Sequence, residues 1–296
     1  MNTPVLFLVF NRPDTTIQVF QKIREAEPLR LYVAADGPRK DREGEAEKCK
    51  QVRHIATNVD WDCEVKTLFR DENLGCKMAV SGGIDWFFEK EEMGIILEDD
   101  CLPSKTFFRF CEELLIKYRQ DTRIWHIGGT NPLSKITQAD SYYFSIYNRI
   151  WGWATWKRAW KNFDSEIKIW PEIKKNKKLK YVLSKSEYIK YEKLFDSVYN
   201  GEIDTWDYQW FLIKLINGLS IIPNTNLVKN IGFGKNATHT KDINHKLANL
   251  ELGEMKFPLI HSKVFHPSYE NDKKWGNFNM SSRSKIINII RNITKL

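Results

Sequence analysis

The sequence predicts an α/β fold in which a mostly parallel central sheet is flanked by helices. Strand-like and helix-like segments alternate over the first third of the 296 residues, an order typical of parallel strands joined by helical crossovers. Val5–Phe10 and Leu29–Ala35 are mainly apolar runs of strand length, which indicates strands covered on both faces. Ligands of such sheets bind beyond the carboxyl ends of the strands, so we expect the functional residues there.

The first half contains four expected strands and three expected helices. Apolar residues at helical spacing indicate the first helix, and the turn-forming Asp36-Gly37-Pro38 ends the second strand. In order, the elements are the strand Val5–Phe10, the helix Thr15–Glu25 with Asp14 as its cap, the strand Leu29–Ala35, the helix Arg42–Asn58, the strand Cys63–Arg70, the helix Met78–Glu89 and the strand Gly94–Leu97.

The second half is less regular and rich in tryptophan. Its expected elements are a helix Thr106–Tyr118, strands Arg123–Gly128 and Tyr142–Tyr147, a lysine-rich surface stretch Lys174–Lys180, helices Tyr188–Tyr199 and Tyr208–Ile216, and a strand Ser220–Pro223. No linker composition interrupts the chain. We therefore predict one catalytic domain over residues 1–270, with a nucleotide-sugar-binding half (1–104) and an acceptor and catalytic half (105–270), followed by a basic amphipathic tail (271–296).

Composition and charge restrict the class of protein. A hydrophobic fraction of 42% excludes a disordered chain, and the formal charge of +8 suits anionic partners such as nucleotide diphosphates or a phospholipid surface. The basic residues are dispersed without a recognised module, so no nucleic-acid partner is expected. Five cysteines without a CxxC pair indicate reduced thiols, and the short apolar run Pro4–Phe10 is typical of a strand. The expected location is cytoplasmic.

Three adjacent acids, Glu98, Asp99 and Asp100, follow the buried strand Gly94–Leu97. Neighbouring carboxylates repel one another unless a cation offsets their charge, and carboxylate oxygens suit Mn2+ or Mg2+. Strand alternation directs Glu98 and Asp100 to one side and Asp99 to the other. One acid can then bind the metal while a neighbour contacts the sugar or ribose. The alternative is a solvated acidic turn.

Six short motifs in order resemble those of the GT-A glycosyltransferases, in particular the β-1,2-N-acetylglucosaminyltransferases, and bacterial enzymes of similar pattern. They span roughly residues 4–240 and are Phe10-Asn11-Arg12-Pro13, Ala35-Asp36-Gly37, Ile96–Asp100 with Phe107-Phe108, Gly152-Trp153, Trp206-Asp207, and Gly232-Phe233-Gly234 with Thr238-His239. The resemblance implies the GT-A (Rossmann-like) fold and a nucleotide-sugar donor, but it leaves the sugar open.

The resemblance also implies roles for individual residues. Asn11 and Arg12 hold the nucleotide and its phosphates, Asp36 binds the base, Asp99 contacts the ribose or donor sugar, and Asp100 is the direct metal ligand. Arg12 has an independent rationale, because a guanidinium binds phosphate in a bidentate manner. The alternatives are an exposed arginine at a helix start for Arg12 and an ordinary turn residue for Asp36.

Two further segments are candidates for donor contacts. Arg70 and Asn73 precede a helix and can face the donor, or the segment simply caps that helix. Trp153 lies in the run Trp151–Trp156, where an aromatic face can contact a sugar while Gly152 allows close approach. Packing of these rings in the core is the alternative.

The segment that contains Asp204 and Asp207 is expected to supply the catalytic base. An inverting transfer needs a carboxylate to accept the proton of the acceptor hydroxyl, and the resemblance favours Asp207, with Asp204 as a rival. Farther along, Lys235 and Thr238 belong to a glycine-containing loop and can meet phosphate oxygens, while His239 is a candidate metal or phosphate ligand.

The predicted function is therefore a metal-dependent, inverting glycosyltransferase. It moves a sugar, with UDP as the expected nucleotide, to a hydroxyl of a bacterial surface glycan or lipid-linked glycan such as lipopolysaccharide or capsule. The tail Ser281–Leu296 interleaves isoleucines with basic residues, which fits either the inner face of the cell membrane or packing on the protein. A sugar-1-phosphate nucleotidyltransferase and a non-enzymatic carbohydrate-binding protein are the rival classes.

Overall fold

A computed structural model describes residues 1–133, 139–233 and 247–281. Its ten strands are β1 Val5–Val9, β2 Arg30–Ala35, β3 Glu64–Phe69, β4 Met93–Glu98, β5 Cys101–Pro103, β6 Ile124–Gly128, β7 Tyr142–Ser145, β8 Trp153–Trp156, β9 Leu219–Pro223 and β10 Val228–Asn230.

The helices α1 to α9 alternate with these strands. They are α1 Pro13–Ala26, α2 Glu45–Thr57, α3 Gly75–Lys90, α4 Phe107–Lys117, α5 Lys157–Trp160, α6 Trp170–Lys175, α7 Lys185–Tyr199, α8 Asp207–Asn217 and α9 Tyr269–Ser281, with a 3₁₀ helix at Lys178–Tyr181 between α6 and α7. In the described part of the chain, no helix is long and apolar enough to cross a membrane.

Eight strands form one central sheet in the order β3-β2-β1-β4-β8-β6-β9-β7. The strands β1 to β4 are parallel, β8 runs antiparallel between β4 and β6, and β7 is an antiparallel edge. The predicted α/β class, with a mostly parallel sheet flanked by helices, is confirmed. Since β8 lies inside the sheet, the two predicted halves share a single sheet.

The apolar strands divide the core into two layers by their alternation. Val5, Phe7 and Leu97 pack on the side of α1, α2 and α4, whereas Leu6 and Ile96 pack against α3 and the aromatic residues of α8. A third cluster joins α6, α7 and α8 around buried residues such as Phe195, Phe211 and Leu212. This third cluster forms a lobe beside the sheet.

Three local features of the structure are not apparent from the sequence. Asp14 does not cap α1: the cap position is Arg12, and Pro13 occupies the first helical position, where it needs no hydrogen-bond acceptor. Trp151 is not in β8, because the left-handed Gly152 (φ 59°) separates it from the strand. The predicted boundary at residue 270 falls inside α9, whose Asp272 accepts hydrogen bonds from the Ser145 hydroxyl and the Ile146 amide.

Candidate active site

Polar residues lie where the four parallel strands end, as the sequence predicts. Asn11 and Arg12 follow β1, Asp36 follows β2, Arg70 follows β3, and Glu98 is the last residue of β4. The carboxyl ends of parallel strands share one edge of the sheet, so residues far apart in sequence meet there. This edge is the candidate active site.

The turn after β4 is held in place by contacts of its two aspartates. The Phe10 amide donates to Asp99 Oδ2 at 3.0 Å, and Asp99 is only 7% exposed. Arg12 Nη1 lies 2.7 Å from Asp100 Oδ2, and Asn230 Nδ2 donates to Asp100 Oδ1 at 3.1 Å. Asp100 thus connects the start of α1 to β10 across the candidate site.

The acid cluster is short of positive charge. Burial, followed by the charge of Asp100, raises the pKa of Asp99 to about 7 despite the opposing effects of Arg12 and the Phe10 amide. Burial also raises the pKa of Glu98 well above its usual value, and the charges of Asp100, Asp99 and Asp207 add to the shift. Carboxylates in such surroundings favour either a proton or a cation.

The side chains of Glu98 and Asp100 do not follow the predicted alternation. Glu98 continues the alternation of Ile96, which packs on the α3 side, whereas Asp100 contacts Arg12 at the start of α1. The strand ends at Glu98, and residues 99–100 form a turn, so strand geometry no longer sets the direction of Asp100. The two acids consequently face different elements of the site.

Asp207 joins the cluster from the second half of the chain. It is the first residue of α8, and the Thr205 hydroxyl donates to its Oδ1. Its charge contributes to the raised pKa of Glu98. Burial, with the charges of Glu98 and Asp207, raises the pKa of Cys76 to about 12. Glu98 and Asp207 therefore act electrostatically on the same surroundings, although they come from different elements.

Asp204 makes a different set of contacts from Asp207. The backbone amides of Cys76 and Lys77 donate to its two carboxylate oxygens at 2.9 and 3.0 Å. These amides belong to the first turn of α3, where helix N–H groups have no partner within the helix. Asp204 therefore caps α3 from a position 128 residues away in sequence. Both oxygens of Asp204 thus serve in the cap of α3, and the choice between Asp207 and Asp204 as the base remains a prediction.

Asp36 and Asn73 bind each other at the ends of β2 and β3. Asn73 Nδ2 donates to Asp36 Oδ2 at 2.9 Å, and the amides of Gly37 and Leu74 donate to Asp36 Oδ1. Burial raises the pKa of Asp36, although these amide bonds and the charge of Arg70 oppose the shift. These contacts favour a structural turn, and the donor-binding roles of these residues remain predictions.

Asn11 contacts an ion pair that the sequence analysis did not identify. Its Nδ2 donates to Glu45 Oε1 at 2.7 Å, and the same carboxylate pairs with Arg39. The Arg39 guanidinium is the main cause that lowers the pKa of Glu45 to about 2. The six-residue spacing of the pair is not a helical repeat, so no simple sequence pattern indicates it. Glu45 thus holds the Asn11 side chain beside Arg39, and the donor-binding role of Asn11 remains a prediction.

Trp153 lies in the core, which supports the packing alternative. It is 0% exposed and stacks on His126 and Trp206, with ring centroids 5.0 and 5.6 Å apart. A fully enclosed ring has no face available to a sugar, so the expected donor contact of Trp153 is not supported. The physical reason is the aromatic layer on this face of the sheet, where Trp160, Trp206 and Trp210 pack against the ring.

Trp151 forms an aromatic pair with Phe233, which follows Gly232 in the chain. Their rings meet edge to face at 5.6 Å, and both are partly exposed. Gly232, next to Phe233, approaches so closely that an added Cβ would lie 2.2 Å from Asp100 Oδ2. A glycine is required there, and it brings the Phe233 segment against Asp100. Trp151 replaces Trp153 as the candidate sugar-contacting ring.

Several sequence-predicted residues lie outside the described residues. They are Lys235, Thr238 and His239 of the glycine-containing loop, and residues 282–296 of the tail. Their expected roles in phosphate, metal and membrane binding remain predictions.

The donor set at the cluster fits a hard divalent cation. Among the residues that the structure describes, no group of three or more histidine, cysteine or acidic side chains is arranged to hold a metal. Asp100 nevertheless presents carboxylate oxygens beside two buried acids whose pKa values are raised by burial and repulsion. Mg2+ and Mn2+ commonly take one or two protein carboxylates together with substrate phosphates and water. Asp100 would be the protein ligand of such an ion, and its contacts with Arg12 and Asn230 would then have to give way.

Comparisons with known proteins identify no family model and no curated protein that matches the chain. Solved structures are similar at a low level. S. aureus TarS 1-349 is 10% identical with a TM-score of 0.41, covering 77% of this chain and 59% of that one. A UDP-glucose pyrophosphorylase complexed with UDP-glucose is 10% identical with a TM-score of 0.39, covering 77% and 92%.

A third similar structure is the mannose-1-phosphate geranyltransferase from Thermus thermophilus. It is 12% identical with a TM-score of 0.40, covering 78% of this chain and 76% of that one. This chain spans about three fifths of TarS 1-349. Similarities of this size do not define a reaction.

Proposed function

We propose that the protein is a metal-dependent glycosyltransferase that uses a nucleotide diphosphate sugar. The observation that carries this proposal is the ion pair of Arg12 with Asp100 at the carboxyl end of the parallel strands, next to the buried acids Glu98 and Asp99. A nucleotide diphosphate supplies the anionic oxygens that a metal on Asp100 and the Arg12 guanidinium bind. UDP is the expected nucleotide, and a hydroxyl of a bacterial surface glycan or lipid-linked glycan is the expected acceptor.

The residues divide the work between donor and acceptor. Asp100 would hold Mn2+ or Mg2+, which stabilises negative charge on the departing diphosphate. Arg12 binds and orients the phosphates. When its guanidinium leaves Asp100 to bind a phosphate, the Asp100 carboxylate would become free to bind the metal. Asp99, held by the Phe10 amide, presents its second oxygen to the ribose or sugar. Trp151 offers an aromatic face to the sugar ring.

Asp207 is the proposed base for the acceptor hydroxyl. A base must reach the proton that it removes, and Asp207 lies near Glu98 at the first turn of α8. An attack from the face opposite the diphosphate inverts the anomeric configuration. A product that retains the donor configuration in an NMR time course would contradict this part of the proposal.

A product assay separates the candidate reactions. The protein is incubated with Mn2+, a panel of UDP- and GDP-sugars and lipid-linked or free glycan acceptors, and release of the nucleoside diphosphate is measured. A parallel reaction contains a nucleoside triphosphate and a sugar 1-phosphate, and pyrophosphate is measured. Acceptor-dependent release of UDP supports the transferase. Pyrophosphate release without UDP release would instead identify a nucleotidyltransferase.

A further inference from the structure

The lobe formed by α6, the 3₁₀ helix and the start of α7 carries a basic surface outside the candidate active site. We define the lysine surface as four exposed lysines and two exposed neighbours, namely Lys175, Lys177, Lys180, Lys185, Tyr181 and Val182. Five of the seven residues from 174 to 180 are lysines, and the segment is described throughout.

The lysine surface has an excess of positive charge. Two further lysines are paired, Lys174 with Asp196 and Lys178 with Glu172, each at 2.8 Å. The four lysines of the defined surface have no ion pair with any residue in the described ranges. Such a concentration of like charge repels itself unless an anionic partner faces it. The surface therefore suits an extended anionic partner.

Tyr181 is an exposed aromatic residue within the lysine surface. It is 90% exposed, and Val182 beside it is 41% exposed. A tyrosine ring is apolar with a polar tip, so it is favoured at the boundary between a lipid layer and water. The ring is stabilised most where the lysines contact lipid headgroups and the ring itself contacts the boundary between headgroups and acyl chains.

The surface is held in a fixed shape by the residues beneath it. Leu179 and Leu183 are buried in the core of the lobe, and Ser184 and Glu187 form a capping box at the start of α7. Lys177 adopts a left-handed conformation, φ 53°, that favours glycine or asparagine. A lysine kept in a strained position points to a use for its charge there.

The lobe also contacts the helix that carries the proposed base. Tyr191 of α7 packs on Phe211 of α8 with ring centroids 4.9 Å apart, and α8 begins at Asp207. Lys185 lies at the start of the same α7 helix. One rigid helix thus connects the lysine surface to the catalytic segment.

We propose that the lysine surface docks the protein on an anionic phospholipid membrane, with Tyr181 inserted at the headgroup boundary. The attraction comes from the four lysines, which act within a Debye length of the membrane surface. Tyr181 adds an apolar contact that salt does not screen. This interaction is independent of the reaction proposed above and does not involve the candidate active site.

Vesicle co-sedimentation of the full chain tests the proposal. Vesicles of phosphatidylcholine alone are compared with vesicles in which about a third of the lipid is phosphatidylglycerol. The test variant replaces Lys175, Lys177, Lys180 and Lys185 with glutamine. The control variant makes the same change at four exposed lysines elsewhere, namely Lys48, Lys50, Lys105 and Lys263. Both lower the formal charge of +8 by four.

Wild type and control are expected to bind the anionic vesicles, and the test variant is expected to bind at least about tenfold more weakly. Tyr181→Ala should lose the binding that remains at high salt, whereas Tyr269→Ala, at a ring 76% exposed, should not. Equal loss in both lysine variants would show attraction to overall charge and overturn the proposal. Unchanged binding of the test variant would also overturn it, and would leave the C-terminal tail as the membrane contact. Binding to a soluble acidic polysaccharide without binding to vesicles would also overturn the proposal.

Discussion

At the scale of single residues, the acid cluster is defined by what each carboxylate contacts. Asp100 pairs with a guanidinium, Asp99 accepts a backbone amide, Asp204 caps a helix, and Asp207 lies at the start of α8 near Glu98. These contacts distinguish the acidic residues from one another, which the sequence alone does not. The metal on Asp100 and the acceptor proton on Asp207 remain proposals that the substitutions below test.

The two rival bases can be separated by isosteric substitutions. Asp207→Asn removes the proposed proton acceptor, and we expect kcat to fall by at least about 100-fold while donor binding is retained. Asp204→Asn keeps an oxygen acceptor for the α3 amides, and we expect kcat to change less than about threefold. Steady-state kinetics with the best donor and acceptor measures both. The reverse pattern would make Asp204 the base.

The residue scale is also where sequence analysis was least complete. The motifs identified Arg12, Asp99 and Asp100, but nothing in the sequence connects Asn230 to Asp100 across 130 residues. The sequence around Trp153 resembles a sugar-contacting segment, yet Trp206 and Trp210 from a distant part of the chain bury the ring. Contacts between distant segments depend on tertiary packing, which local patterns do not encode.

At the scale of elements, α3 and α8 are linked through Asp204. The cap satisfies two amide groups of α3 and fixes the segment that leads into Asp207. Helix boundaries were predicted well where apolar periodicity was strong, as in α1 and α4. The start of α3 was predicted three residues late because its cap comes from Asp204 rather than from the preceding residues.

Loss of the Asp204 cap should destabilise the protein. Asp204→Ala leaves the amides of Cys76 and Lys77 without a protein acceptor, and we expect the free energy of unfolding to fall by about 1 kcal/mol. Urea denaturation followed by tryptophan fluorescence measures the change. Asp62→Ala, at an exposed aspartate, serves as the control and should be neutral. Equal stability of the Asp204 variant and the wild type would show that water replaces the cap.

The buried Lys214 on α8 predicts a dependence of stability on pH. Burial lowers the pKa of Lys214 to about 7, with Arg149 adding to the shift and Asp272 opposing it. Its amine donates to the Ile146 carbonyl. In the unfolded chain the amine keeps its usual pKa near 10.5. Between these values the unfolded state binds more protons, so folded wild type gains stability as pH rises.

The test compares wild type with Lys214→Met, which has no titrating group at this position. We expect the difference in unfolding free energy to shift in favour of the wild type between pH 7 and 10, by at most about 1.4 kcal/mol per pH unit. Denaturation midpoints across this range measure it. A difference that stays constant with pH would show that the lysine is charged in the folded state.

At the scale of the whole molecule, one sheet joins the two halves and collects the site residues at one edge. The α/β class followed from the order of apolar and amphipathic segments, so it could be predicted from the sequence. The position of β8 between β4 and β6 could not, because a strand inserted from a distant segment leaves no local signal. That insertion is what brings Gly152 and Trp151 toward the acid cluster.

The central claim is that Asp100 and its neighbours bind a nucleotide diphosphate through a metal. Isothermal titration of UDP into the protein, with Mn2+ or with EDTA, tests it most directly on the wild type and Asp100→Asn. Asp121→Asn, which changes an aspartate paired with Arg123 on the surface, is the matched control. We expect wild type and control to bind UDP only with Mn2+, and Asp100→Asn to bind at least about tenfold more weakly. Absence of UDP binding by the wild type with Mn2+ and with EDTA would contradict the claim.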